Sequence, residues 1–311
     1  MTTVKKAVVT AAGRGTRQYP ATNTVQKELI PLVDVDGYTK PTLQIILEEV
    51  VASGIDEICV VANPSNLEPI RAHFQGLTDE QKRTQFAGKD WADALSDTLA
   101  DLQSRLTFVV QHTQEGYGHA VYQAHEWAGG EPFVLMVGDH ISLSGTDQSC
   151  TQQIIHAFEQ SHAPVSSVAR IDESKAYRYG TAAGEATDFS GAPSYWMRAM
   201  MEKPSIEYAR EHLRTPGIPD DQYLCFYGIH AFPSDAFDCL KHLIDNDIRQ
   251  KGEIQMAAAQ EMLFQRGPYL LAEIQGEQYD MGVPDGLVLT QIALAMRSPY
   301  RESARALFES L

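Results

Sequence analysis

Two glycines and three cations gather in one short stretch of this chain, Ala11-Ala12-Gly13-Arg14-Gly15-Thr16-Arg17 followed by Gln26-Lys27-Glu28-Leu29. Glycine lets a backbone approach a ligand closely, and successive N–H groups can then point at an anion. Arg14 and Arg17 offer planar forks that fit two phosphate oxygens, and Lys27 a point charge. The combination suits a nucleoside triphosphate or another multiply charged phosphate. The glycines alone would serve an ordinary strand-to-loop turn just as well. Two familiar phosphate fingerprints are excluded: a dinucleotide fold wants a third glycine where Gln18 stands, and the Gly-Lys-Ser/Thr of a P-loop is absent. Further along, Val137-Gly138-Asp139-His140 and Tyr279-Asp280-Met281-Gly282 each offer a carboxylate. Two carboxylates with substrate phosphates are a usual way to hold Mg²⁺. A lone Asp at such a place is more often a turn or cap residue.

These groups need a scaffold. Lys5–Ala11 is an apolar run that reads as a buried first strand, with the glycine-rich stretch at its end. Pro41–Ser53 has Leu43, Ile46, Leu47 and Val50 on one helical face, with Gly54 to end it, and Glu57–Ala62 is again strand-like. Strand, helix, strand with a short return is a βαβ unit and implies a parallel sheet. Asn66–Phe74 reads as a short helix. In the polar stretch 76–105, Trp91, Leu95, Leu99 and Leu102 recur at helical spacing, so a mainly helical insertion is expected. Leu106–Gln111, Pro132–Val137 and Ala163–Arg170 are expected strands, Tyr117–Trp127 and Ser149–Gln160 helices. From there the pattern changes: Tyr179–Thr181, Ser194–Glu202 and Tyr223–Phe232 read as strands without regular helices between them. Ser234–Ile244 (with Ser234 as N-cap), Glu253–Phe264, Asp285–Met296 and Ser303–Leu311 read as helices, and Tyr269–Glu273 as a strand. The expected class is α/β, a Rossmann-like mixed, mostly parallel sheet flanked by helices. No repeat, low-complexity linker or clear boundary interrupts it. The chain 1–311 is therefore read as one domain, with a lobe at 171–232 and a helical C-terminal segment at 285–311.

The 311 residues suffice for an ample core, and the formal net charge is −16. That balance argues against nucleic acid or an anionic membrane as partner, since both select basic surfaces. It also means that positive charge must be gathered locally wherever an anionic substrate binds. Cys59, Cys150, Cys225 and Cys239 show no metal-ligand or redox spacing, so buried free thiols and a reducing cytoplasm are expected. No run is long and apolar enough to span a membrane, and the short apolar run after Lys5-Lys6 is cut off by Gly13-Arg14-Gly15.

Ala12-Gly13-Arg14-Gly15-Thr16-Arg17, Pro20-Ala21-Thr22 and Lys27-Glu28-Leu29-Ile30-Pro31-Leu32-Val33-Asp34 together resemble the sugar-1-phosphate nucleotidyltransferases, nearest to the bacterial UTP–glucose-1-phosphate uridylyltransferase branch. Motifs in the expected order carry the resemblance from Ala7 to about Ala295. It implies a fold of the nucleotide-diphospho-sugar transferase type, with a sugar-side lobe at 171–232. Ala11, Ala12, Gly13, Gly15 and Thr16 would surround the nucleotide. Gln111 and Gly116, in Val110-Gln111 and Glu115-Gly116-Tyr117-Gly118-His119-Ala120, would read a pyrimidine, whose edge asks for a group that donates and accepts at once. Glu202 and Lys203 of Glu202-Lys203-Pro204 would hold sugar hydroxyls and the sugar phosphate, with Gly180 against the sugar. Without the resemblance, Glu-Lys-Pro is a common surface ion pair. Asp139 and Asp280 would ligate Mg²⁺, and Arg17, Lys27 and Lys203 would be the catalytic cations. His140 is given no role beyond packing or surface.

The implied reaction is in-line attack by a phosphate oxygen of α-D-glucose 1-phosphate on the α-phosphorus of UTP, giving UDP-glucose and pyrophosphate. A phosphomonoester has a second pKa of roughly 6, so it needs no general base. The substrates are small molecules, and the family is commonly oligomeric, with the C-terminal segment a candidate contact. Four positions depart from the pattern: Gln26 for Pro, Tyr117 for Leu, Ala257-Ala258 for Thr-Asp, and Val283-Pro284, which resembles sister branches. A thymidylyl- or other nucleotidyltransferase on a different sugar 1-phosphate therefore stays open as the alternative. A non-catalytic nucleotide-sugar-binding paralogue ranks lower, because it would be expected to lack one of the charged residues. A nicotinamide oxidoreductase ranks lower still, for the missing third glycine.

Overall fold

The structure is a computed structural model that describes residues 3–187 and 192–310. Part of the expected lobe (188–191) and the expected last helical residue, Leu311, lie outside those residues. The strands in chain order are β1 (Lys6–Thr10), β2 (Pro31–Val33), β3 (Thr39–Pro41), β4 (Glu57–Ala62) and β5 (Leu106–Val110). There follow β6 (Phe133–Val137), β7 (His140–Ser144), β8 (Val165–Asp172) and β9 (Gly180–Thr187). The last are β10 (Ser194–Glu202), β11 (Gln222–Phe232), β12 (Leu270–Glu273) and β13 (Gly276–Asp280). Nine of them form one sheet in the order β5-β4-β1-β6-β11-β8-β12-β10-β9. β5, β4, β1 and β6 are mutually parallel, as are β8 and β12, while β11 and β10 run against their neighbours. β7 and β13 pair separately as an antiparallel ribbon.

The first strands are continuous apolar runs because both their faces are buried. Ala7, Val9, Ile58, Val60, Val134 and Met136 point to one core, and the alternate Val8, Cys59, Val61, Phe133 and Leu135 to the other. Helices Thr42–Ala52 and Cys150–Ser161 cover the first side. Helices Asp235–Asp245 and Met256–Arg266 cover the second. A smaller cluster of Ala183, Leu213, Tyr223 and Cys225 packs the far half of the sheet. All four cysteines are buried free thiols. Segment 76–105 carries helices Asp79–Thr84 and Asp90–Arg105.

Several elements differ from the sequence reading. β7 and β13 went unread because His140 to Ser144 alternates buried with half-buried residues and Gly276 to Asp280 is polar, so only their mutual pairing makes them strands. Ser234 does not cap its helix, since the Ala236 N–H goes to the Pro233 carbonyl instead. The expected helix from Glu253 begins at Met256, because Ile254 is held extended: its N–H donates to Glu115 O and its carbonyl accepts from Gly118 N–H. Tyr117–Trp127 is two short helices, Tyr117–Tyr122 and His125–Ala128. The Tyr179–Thr181 strand runs on to Thr187, and helix Ile206–His212 lies between β10 and β11.

Candidate active site

β1 delivers the glycine-rich loop to the carboxyl edge of the parallel strands, where ligands of open α/β sheets gather. Three amides hold that loop from behind. Asn66 Nδ2 donates to the Ala11 carbonyl at 2.6 Å, and Gln114 Nε2 and Asn63 Nδ2 donate to the Ala12 carbonyl at 2.8 and 3.3 Å. The sequence reading missed all three. The signal was there, since Asn63 directly follows β4 and Gln114 lies just beyond β5. The Ala11 N–H is bound to Val61 O, so Ala11 fixes the loop to the sheet. Gly15 takes the left-handed conformation at φ 63°, and a side chain at Gly13 would stand 3.2 Å from Lys27 Nζ. Arg14 pairs with the Gln114 side chain. A cleft of about 570 Å³ opens over the loop, lined by Gly13, Thr16, Lys27, Gln111, Gly116 and Asp139 among others, with Ala12 but neither Ala11 nor Gly15 in its wall.

In the cleft wall Gln111 is buried, with Nε2 donating to the Gly116 carbonyl at 3.1 Å and lying 3.0 Å from His119 Nδ1. Gly116 has φ 118°, and a Cβ there would meet the Ile254 carbonyl oxygen at 2.5 Å. Only glycine lets this loop close against residues 253–255.

The charges converge around Asp139, which lines the same cleft. Lys27 Nζ lies 2.6 Å from Asp139 Oδ2 and 3.6 Å from Glu28 Oε1. Burial alone would lower the Lys27 pKa; the Asp139 and Glu28 carboxylates outweigh it and raise it. Arg17 Nη1 lies 3.3 Å from Asp280 Oδ2, and His140 Nε2 lies 3.5 Å from Asp280 Oδ1. The β7–β13 register sets Asp280 opposite His140, so His140 belongs to the site and not to surface packing. Burial works to raise the Asp280 pKa, but His140, Arg17 and the Gly282 N–H at 2.7 Å hold it down at about 2. A Cβ at Gly282 would lie 2.6 Å from Arg17 Nη2, 2.7 Å from Asp139 Oδ2 and 2.8 Å from Asp280 Oδ1. Both carboxylates therefore face one point that only a glycine leaves open. Gln18 Nε2, also unread, donates to the Met281 carbonyl at 2.7 Å and ties the two loops together.

Glu28 is fully buried, and neither of its carboxyl oxygens has a hydrogen-bond partner. Burial pushes its pKa up to about 8 against the pull of Lys27.

The sugar-side residues form a second group. Strand register sets Glu202 opposite Gly180, where a Cβ would lie 2.7 Å from Glu202 Oε2. Lys203 has φ 50°, donates its N–H to Tyr179 O at 3.2 Å, and holds Nζ 3.6 Å from Glu202 Oε1. Among the described residues, no hydrogen bond or ion pair joins this group to Asp139 or Asp280. Burial and then the Asp280 charge raise the Tyr179 pKa.

The Nucleotidyl transferase family model matches residues 6–294. The chain is 30% identical to UTP–glucose-1-phosphate uridylyltransferase 1 of Staphylococcus saprophyticus, over 96% of this chain and 94% of that one. It is 31% identical to the corresponding protein 1 of Streptococcus pyogenes serotype M3, over 96% and 91%. Its fold is similar to a UDP-glucose pyrophosphorylase from Acinetobacter baumannii, with TM-score 0.81, 23% identity, and 99% and 100% of the chains covered. A UTP-bound UGPase of that organism gives TM-score 0.80 at 23% identity, covering 99% of each chain. The cations, carboxylates and glycines thus stand on a scaffold matched nearly end to end, and the chain belongs to the nucleotidyl transferase family.

Proposed function

We infer that this protein transfers a uridylyl group from UTP to α-D-glucose 1-phosphate, forming UDP-glucose and pyrophosphate. The observation that carries the reading is the convergence of Arg17, Lys27, Asp139 and Asp280 beside a cleft that Lys27, Asp139, Gln111 and Gly116 line. Relatives named for that reaction support it. The Gln111 Nε2 is engaged by Gly116, so its Oε1 would accept the N–H of a uracil edge. Ala12, Gly13 and Thr16 would shape the phosphate path, with Ala11 and Gly15 behind it. Lys27 and Arg17 would neutralise the triphosphate and the departing pyrophosphate, and Lys203 would align the attacking phosphate while Glu202 and Gly180 seat the sugar. Catalysis would then be positioning and charge neutralisation.

The donor set fits Mg²⁺: two hard carboxylate oxygens, Asp139 Oδ2 and Asp280 Oδ1, face the open point at Gly282. Mg²⁺ held there would polarise the phosphoryl oxygens. We further read the chain as one nucleotidyl transferase unit with its sugar-side lobe in residues 171–232, working in the cytoplasm. A homo-oligomer in contact through its C-terminal segment fits the exposed Leu307 and Phe308 of helix Arg301–Ser310. Among the described residues no helix is long and apolar enough to cross a membrane.

Pyrophosphate release measured with Mg²⁺, glucose 1-phosphate and UTP, dTTP, CTP or GTP in turn tests the reading. Release with UTP alone is expected. Release with another nucleotide would keep the mechanism and move the specificity to a sister branch, as Val283-Pro284 would allow. No release across nucleotides and sugar phosphates would overturn the enzyme reading.

A further inference from the structure

The buried carboxyl of Glu28 has no counterpart in the mechanism above. It lies entirely out of solvent, its two oxygens lack hydrogen-bond partners, and Lys27 Nζ stands 3.6 Å away while bound at 2.6 Å to Asp139 Oδ2. A buried polar group left unpaired destabilises a fold, so its persistence calls for an explanation. The Asp139 Oδ2 that faces the open point at Gly282 is also the oxygen that the Lys27 ammonium holds at 2.6 Å, and a divalent cation bound there would repel that ammonium. Of the carboxylates within ion-pair reach of Lys27, Glu28 is the other one among the described residues. Glu28 packs beside Gly138, which leads into Asp139: the Glu28 Cγ lies 3.5 Å from where a Gly138 Cβ would stand.

We propose that Glu28 is a positioning residue, the alternative partner that takes the Lys27 ammonium when Asp139 turns to the metal. This rests on the reading of Asp139 as a metal ligand. Lys27 is then a two-position side chain, and Glu28, which holds a proton while Lys27 sits on Asp139, gives that proton up to solvent as the ammonium reaches it. On Asp139 it closes the metal site, and on Glu28 it opens it while remaining beside the phosphate path. Glu28 touches neither substrate nor metal in this arrangement.

Mn²⁺ binding to the nucleotide-free full chain, read by electron paramagnetic resonance of the free ion, tests the exchange without turnover. Glu28→Gln keeps the shape of the side chain and removes its ability to take the charge. Its Mn²⁺ affinity is expected to fall about tenfold, the lower end of effects seen when a group behind a metal ligand is changed. Adding Lys27→Met to Glu28→Gln removes the ammonium that closes the site and is expected to restore the affinity. A merely structural role would leave the double variant as weak as the single one. Asp139→Asn separates the two layers: it should abolish Mn²⁺ binding. Retained binding in Asp139→Asn would overturn the metal assignment and this inference with it. Lost binding in Asp139→Asn beside unchanged affinity in Glu28→Gln, or a double variant that stays weak, would overturn the role of Glu28 alone.

Discussion

Around His230 the buried side chains satisfy one another, whereas around Asp139 they do not. Ser166 Oγ meets His230 Nδ1 at 2.7 Å and Tyr269 Oη at 2.6 Å, and Gln260 Nε2 donates to both Ser166 and Tyr269 at 3.1 Å. No buried side-chain atom of these four residues lacks a partner. The atoms that do lack one among the described residues are Glu28 Oε1 and Oε2, Tyr117 Oη and His140 Nδ1. Tyr117 lines the same cleft as Asp139, His140 follows Asp139 in the chain, and Glu28 adjoins its partner Lys27. A satisfied polar network rigidifies a fold. An unsatisfied one keeps donors, acceptors and charges in reserve for a ligand. Deep burial therefore does not by itself distinguish a structural histidine from a functional one; what its neighbours still lack does.

The sharpest way to break this contrast is to remove a charge from the unsatisfied cluster. Asp139→Ala should lower kcat/KM by about 10²–10³-fold, as for loss of one charge-stabilising group, with the melting temperature unchanged because Lys27 retains Glu28. Steady-state pyrophosphate release beside a thermal melt checks both halves. Next, Gly282→Ala would push a methyl among Arg17, Asp139 and Asp280, and displacement on that scale should cost roughly 10²-fold in kcat/KM. Unchanged circular dichroism with lost turnover is the expected pair of results.

In the satisfied network the pattern should invert. Ser166→Ala leaves Tyr269, His230 and Gln260 short of a partner, so urea unfolding should report a loss of about 1–3 kcal/mol while kcat/KM stays as it was.

Along pH the two regions run in opposite directions. Burial pushes the His230 pKa down to about 3, from an unfolded value of 6.5. In that interval the unfolded chain binds the proton and the fold does not, so stability falls as pH drops from 6.5 toward 3. Glu28, raised to about 8 from 4.5, is protonated in the fold where the unfolded chain is ionised, so stability falls as pH rises through that range. Each group contributes a slope of at most about 1.4 kcal/mol per pH unit. Unfolding free energies measured across pH should show a flatter alkaline limb for Glu28→Gln and a flatter acid limb for His230→Gln. A variant whose limb keeps the wild-type slope would remove that residue from the contrast.

The frame and the charged residues were legible in the sequence for a common reason. β1, β4 and β6 are buried on both faces and so are written in unbroken apolar runs, and β1 and β6 lead directly into the charged residues Arg14 and Asp139 of the cleft wall. The β7–β13 ribbon was not legible, because its strands exist only by pairing across the chain, and that pairing gave His140 its place beside Asp280. Glu28 was seen only as part of a motif. Its burial comes from tertiary packing beside Gly138 and Lys27, which no local pattern reveals. Asn63, Asn66 and Gln114 act on backbone carbonyls of a distant loop, so no charge marks them and their only signal is their place after β4 and β5.

Lys27→Ala tests the central claim most directly, since Lys27 is the cation that joins Asp139 and Glu28 and faces the cleft. Pyrophosphate release from UTP and glucose 1-phosphate by this variant should fall at least about 10²-fold below wild type, with the protein folded. Near-normal release would contradict the account, because the cluster of unsatisfied groups would then not be where the phosphates react.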